Sequence, residues 1–160
     1  MPIIRCVLTR ESLDDAIAKV KEYRDRLDKA DEAIVKRLTN DGAKQAQELV
    51  SYMNAVDTGE LMSSIIGEAN GKTGKITAGT DHAAFVEFGT GVVGLASQHP
   101  QPIAGWKYDK NGHGDAGWYY YGDDGKKHWT RGMPSRPYMY DTAQMMAQAV
   151  PDVVAEELQS

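Results

Sequence analysis

Cysteine is nearly absent. Cys6 is the only one in 160 residues, so no disulfide can close within the chain and nothing points to an oxidising compartment. Long apolar runs are missing as well. None approaches the length of a membrane span, and the first residues lack the charged-then-apolar pattern of a signal peptide. We therefore expect a soluble, intracellular protein with no membrane partner. Excess positive charge is also lacking: 18 Lys and Arg stand against 23 Asp and Glu, a formal net charge of −5. That balance argues against a sequence-independent nucleic-acid binder, which needs a basic face, and no specific nucleic-acid binding is expected. What remains is an ordinary soluble composition, 41% hydrophobic and 26% charged. The length fits one domain with a real core.

Four stretches follow in order. Residues 9–53 read as a helical arm. Leu13, Ala16, Ile17, Val20, Tyr23, Leu27, Ala30, Ile34 and Leu38 recur at spacings of three and four, one apolar stripe on a helix. Thr9 or Ser12 offers the cap, and the mixed charges elsewhere read as a solvated face. Asn40-Asp41-Gly42 predicts a kink, or a break between two helices in line. Residues 56–90 hold a central turn and a first hairpin around Asn70-Gly71. Phe85, Val86 and Phe88 are expected to close over that hairpin. Residues 91–132 are a Gly- and aromatic-rich insert. Within it, Trp118-Tyr119-Tyr120-Tyr121 and Lys127-His128-Trp129-Thr130 flank a turn, a second hairpin signal. Helical spacing returns over residues 137–158, with Pro137 suited to the first turn and Pro151 expected to kink or restart the helix. The fold class is α+β: a long N-terminal helical arm, a small antiparallel sheet with hairpins, and a C-terminal helix packed on the sheet.

The centre of this order is Val56-Asp57-Thr58-Gly59-Glu60-Leu61-Met62-Ser63-Ser64-Ile65-Ile66. Asp57 or Thr58 is placed to cap a short helix, since a side-chain oxygen there can take an orphaned backbone N–H. Gly59 relaxes the backbone, and Leu61, Ile65 and Ile66 anchor the turn in a core.

Chemistry is harder to find. Asp57-Thr58-Gly59 is the tripeptide of aspartic proteases, but those place the Asp between apolar β segments and pair it with a second Asp. A helical arm precedes it here, so the context does not fit, and a hydrolase built on Asp57 stands only as the alternative from another class. His82, His99, His113 and His128 show no metal-ligand spacing. The Asp109-Lys110-Asn111-Gly112-His113-Gly114-Asp115 run echoes the start of a calcium loop, but Tyr120 stands where the closing Glu belongs. Gly71-Lys72-Thr73 lacks the upstream glycine of a phosphate loop. No catalytic residue, cofactor or metal is expected, and the chain does not read as an enzyme.

The insert invites a different role. A connection as long as residues 91–131 is uncommon in a compact domain without its own structure or function. Trp106, Trp118, Tyr120 and Trp129 are residue types that carry binding energy at protein interfaces, so they are the candidate interface. Packing on the subunit's own sheet is the alternative.

Three segments carry a resemblance. The first is Val56-Asp57-Thr58-Gly59 with Leu61, Ser64 and Ile65. The second is Ala83-Ala84-Phe85-Val86-Glu87-Phe88-Gly89-Thr90. The third is Gly132-Met133-Pro134-Ser135-Arg136-Pro137-Tyr138-Met139. Together they resemble the signature of a family of long-tailed-phage tail-component or tail-completion proteins, the group that includes the minor tail protein Z of phage lambda. Ser135 and Tyr138 depart mildly from that pattern. The resemblance spans residues 56–146, and the arm and insert match it only in character. It implies a structural virion protein at the neck or tail, present in the host cytoplasm during assembly. Subunits would form a ring that completes the tail end or joins head to tail, with neighbouring neck or tail proteins as partners. A tail-terminator or head-closure protein of the same neck is the alternative. Carried over residue by residue, Val56, Leu61, Ile65, Phe85, Val86 and Phe88 would be core. Asp57, Gly59, Gly89 and Pro134 would shape loops, and Thr58, Ser64, Glu87, Thr90 and Pro137 complete the motif.

Overall fold

The computed structural model describes residues 7, 9–55, 59–122 and 124–159. Arg10–Tyr52 form a single helix, α1, about 65 Å long at the usual rise per residue. Thr9 caps it, its hydroxyl accepting the Ser12 N–H at 3.3 Å. The expected interruption at Asn40-Asp41-Gly42 does not occur. Gly42 is buried in mid-helix, where an added Cβ would stand 2.6 Å from Ile76 Cδ1 and 3.2 Å from Met146 Cγ. The missing side chain therefore serves packing, letting two other elements approach the same turn of α1. Its intrinsic cost against alanine, ~1 kcal/mol, is too small to end a helix held from both sides.

The turn after α1 leads into α2 (Glu60–Ser64), then β1 (Ile65–Asn70) and β2 (Thr73–Ala78). These strands pair antiparallel, with Ile65 opposite Ala78 and Asn70 opposite Thr73, so the expected hairpin forms and its two-residue turn is Gly71-Lys72. The hairpin lies on α1. Gly67 permits this contact, because a Cβ there would come within 2.7 Å of the Thr39 carbonyl oxygen. At the hairpin tip the Lys72 ammonium reaches Asp28 at 2.7 Å and Asp31 at 2.9 Å. Its hydrogen bond to Asp28, then that to Asp31, raise the Lys72 pKa.

Three short helical pieces and a second hairpin follow. They are α3 (Ala83–Phe88), α4 (Gly91–Ala96), a 3₁₀ turn (Gly114–Ala116), β3 (Trp118–Tyr121), β4 (Lys127–Thr130) and the two-residue β5 (Gly132–Met133). Strands β3 and β4 pair antiparallel, with Trp118 opposite Thr130 and Tyr119 opposite Trp129. The chain thus holds two separate two-stranded hairpins among its described residues, rather than one small sheet.

Tyr138–Gln159 form α5, with Pro137 immediately before it. The helix passes through Pro151 without restarting, because that residue is exposed and α5 is held at both ends. At one end Tyr138 is buried among Ala46, Leu49 and Val50 of α1. At the other, Arg37 pairs with Glu156 at 2.7 Å and Glu157 at 3.3 Å. Helix α5 therefore runs antiparallel to α1, which is its main partner, and meets β2 only across the groove over Gly42. The α+β class and the order of elements stand as read. The core joins Ala46, Leu49 and Val50 to Leu61, Ile65, Ala83, Val86 and Tyr138. Fully burying a residue such as Val50 or Ile65 contributes about 1.5–3 kcal/mol before entropy is counted.

Candidate interaction site

The second and third motif segments interlock. Arg136 N–H donates to the Val86 carbonyl at 2.9 Å, Ser135 Oγ to the Glu87 carbonyl at 2.6 Å, and Met133 N–H to Thr90 Oγ1 at 3.2 Å. Thr90 and Gly91 bridge to Met133 and Gly132. Gly89 is held at φ +77°, and a Cβ there would stand 2.7 Å from Ser135 N. A side chain at Gly89 would meet both an unfavoured backbone conformation and a neighbouring backbone.

Glu87 is the buried acid of this lock. Its carboxylate accepts the N–H groups of Met139 at 2.9 Å and Tyr140 at 3.0 Å, both in the first turn of α5. It thus supplies from α3 the cap that α5 needs at its start. His99 Nε2 lies 3.0 Å from Glu87 Oε1, and His99 Nδ1 lies 2.6 Å from the Gln101 carbonyl. This Glu87–His99 pair escaped the sequence reading. A lone His twelve residues downstream in a Gly-rich stretch carries no signal of it.

The three motifs also meet in the core, through Leu61 and Ile65, Val86, and Tyr138. Phe85 and Phe88 do not close over the first hairpin. They are half-buried on the other side of α3, with ring centroids 5.8 Å and 5.1 Å from Trp106. The reason is helical periodicity: in α3 Val86 takes the core-facing side, and residues one before and two after it point elsewhere. Gly59 occupies the N-cap position of α2 at φ +81°, with no side-chain cap bond. Val56, Asp57 and Thr58 lie outside the described residues, and so does the cap expected of them. Ser64 Oγ donates to the Leu61 carbonyl and accepts the Gly79 N–H, tying α2 to the end of the hairpin. Pro134 and Pro137 flank Ser135 and Arg136 in the extended link to α5, both half-buried.

The four candidate interface aromatics are not brought together. Trp106 faces inward, its ring against Phe85 and Phe88 and its Nε1–H donating to the Gly89 carbonyl at 3.2 Å. Trp118 is half-buried and stacked on His113 at 4.6 Å. Tyr120 and Trp129 are exposed, but strand alternation sends them to opposite faces of the second hairpin. The exposed face is instead Tyr119, Tyr121 and Trp129, at 57%, 75% and 51% exposure. Tyr119 meets Trp129 edge-on at 4.7 Å, and the Lys127 ammonium sits 4.4 Å over the Tyr119 ring. β3 and β4 pack mainly on each other, so this face stands clear of the core.

The remaining titratable groups serve local turns. Asp109 accepts the N–H groups of Gly114 at 2.6 Å and His113 at 2.8 Å, which lower its pKa and account for the calcium-like run as a turn. The His128 side chain lies 3.0 Å from Asp124 and holds that carboxyl below its ordinary value. Among the described residues no cluster of His, Cys, Asp and Glu has the geometry of a metal site, and no helix is long and apolar enough to cross a membrane.

Residues 14–89 match the model of the family described as "Bacteriophage HK97-gp10, putative tail-component". No curated protein and no solved structure matches the chain. The family match bears out the resemblance to phage tail components. Its extent differs from that of the three motifs: it takes in most of α1 and ends at Gly89, before the insert and the third segment.

Proposed function

Starting from a tail-component family, we propose that this chain is a structural protein of a long-tailed phage virion. It completes the tail end or joins head to tail, as subunits of a closed ring. The work is done by surfaces and not by catalysis. The observation that supports this reading most is the second hairpin, which carries Tyr119, Tyr121 and Trp129 away from the core. A two-stranded hairpin alone is marginal in water, and exposed aromatics of this kind are the anchors of protein interfaces. A heterologous contact repeated around an axis closes a ring when the rotation permits.

Ring formation is expected on a template, the tail or the connector, since the chain carries a net charge of −5 and its exposed aromatic face is confined to one short hairpin. Sedimentation at increasing concentration, followed by electron microscopy of the chain mixed with purified tails, tests this. Monomers or small oligomers alone, with ring density at the tail end in the mixture, are the expected result. Absence of the chain from tails and from finished particles would defeat the proposal.

A further inference from the structure

The apolar stripe of α1 is longer than the structure uses. Leu13, Ala16, Val20, Tyr23, Leu27, Ala30 and Ile34 repeat at three and four without a slip, the seam of a helix that pairs with another helix. Among the described residues, helix α5 reaches along that seam as far as the Leu27–Ala30 turn, where Glu157, Leu158 and Gln159 line a groove with it. Beyond, Leu13, Ile17 and Val20 are 42%, 52% and 55% exposed on a helix that continues for about four turns.

The flanks of this free seam say what fits it. In the heptad that places Leu13 and Val20 at a, the e and g positions from residue 10 to residue 26 are Arg10, Ser12, Ile17, Lys19, Arg24 and Arg26. Four are cations and none is an anion. A second copy laid on the seam, parallel or antiparallel, sets cation against cation. The acids of this segment sit off the seam, where Asp15 bonds Lys19 and Asp25 bonds Arg24. Those pairs are exposed and weak, so an incoming carboxylate can replace them. The covered part of α1 shows the same chemistry satisfied, with Glu156 and Glu157 of α5 on Arg37.

We propose that the free seam of α1, from Leu13 to Val20, docks an amphipathic helix of another protein. That helix carries acidic residues beside its apolar stripe and continues the line of α5. The site is separate from the second hairpin and does not depend on ring formation.

Three labelled peptides of about three heptads test it against the full chain by fluorescence anisotropy. One has Leu at a and d with Glu at e and g, the second has Lys at e and g, and the third is the first in scrambled order. The Glu peptide is expected to bind at least about tenfold tighter than the other two, and to weaken with salt. Leu13→Asp with Val20→Asp should abolish that binding while leaving the melting temperature and the sedimentation of the chain unchanged. Equal binding of the Lys or scrambled peptide, or no binding of the Glu peptide, would overturn the proposal. So would a loss of self-association in the double variant, which would make the seam a contact between copies.

Discussion

The Glu87 carboxylate accepts the Tyr140 N–H at 3.0 Å, across 53 residues of chain that include α4 and the second hairpin. With Met139 and His99 it makes a buried three-partner site at the start of α5. Glu87→Ala leaves two helix N–H groups and the buried Nε2 of His99 without their carboxylate partner. Such a loss costs on the order of 3 kcal/mol. Glu87→Gln keeps an acceptor and should cost less. Denaturant melts of both variants check the order, and equal stability of Glu87→Ala and the wild type would remove Glu87 from this role.

Gly89→Ala should be at least as harmful. The new methyl group would press on the backbone of Ser135 and Met133 at a residue already at φ +77°. Strain and lost closure together are expected to cost about 2–4 kcal/mol. Gly71→Ala at φ +57°, with open space around it, should cost about 1 kcal/mol. Thermal melting of the pair separates crowding from backbone preference.

Much of this was legible in advance. The three-and-four spacing predicts the helix of α1, and the Gly/Asn loop predicts the hairpin of β1 and β2, though its two-residue turn proves to be Gly71-Lys72. What failed did so where tertiary contact outweighs local preference. Asn40-Asp41-Gly42 reads as a break because its propensity is poor, yet β2 and α5 need a small residue at Gly42. Pro151 lies inside a helix anchored at Tyr138 and at Glu156. In the interaction site, aromatic composition pointed to the insert. It could not separate Trp106, held inward from a loop by its contacts with Phe85, Phe88 and Gly89, from Tyr119 and Tyr121, turned out by the alternation of β3.

Tyr138 supplies a pH signature. Burial, with the Glu87 charge nearby, pushes its phenol up to about 12 from an ordinary value of 10. A raised pKa means the folded state favours the neutral phenol. That stability is whole below pH 10 and is lost as pH rises from 10 towards 12, on the order of 2–3 kcal/mol. Tyr138→Phe has no proton to lose there, so its stability should fall less steeply over that window. Parallel slopes for the two proteins, measured by urea melts between pH 9 and pH 11.5, would contradict the assignment.

The most direct test of the account concerns the second hairpin. Tyr119→Ala, Tyr121→Ala and Trp129→Ala together remove the exposed aromatic face without touching the core or the lock around Glu87. The measurement is the titre of infectious particles from a phage lacking this gene, supplied with either the wild-type chain or the triple variant. The expected variant melts within a few degrees of wild type but restores few or no infectious particles, with heads and tails left unjoined or incomplete in electron micrographs. A wild-type titre from a variant shown to be folded would contradict it.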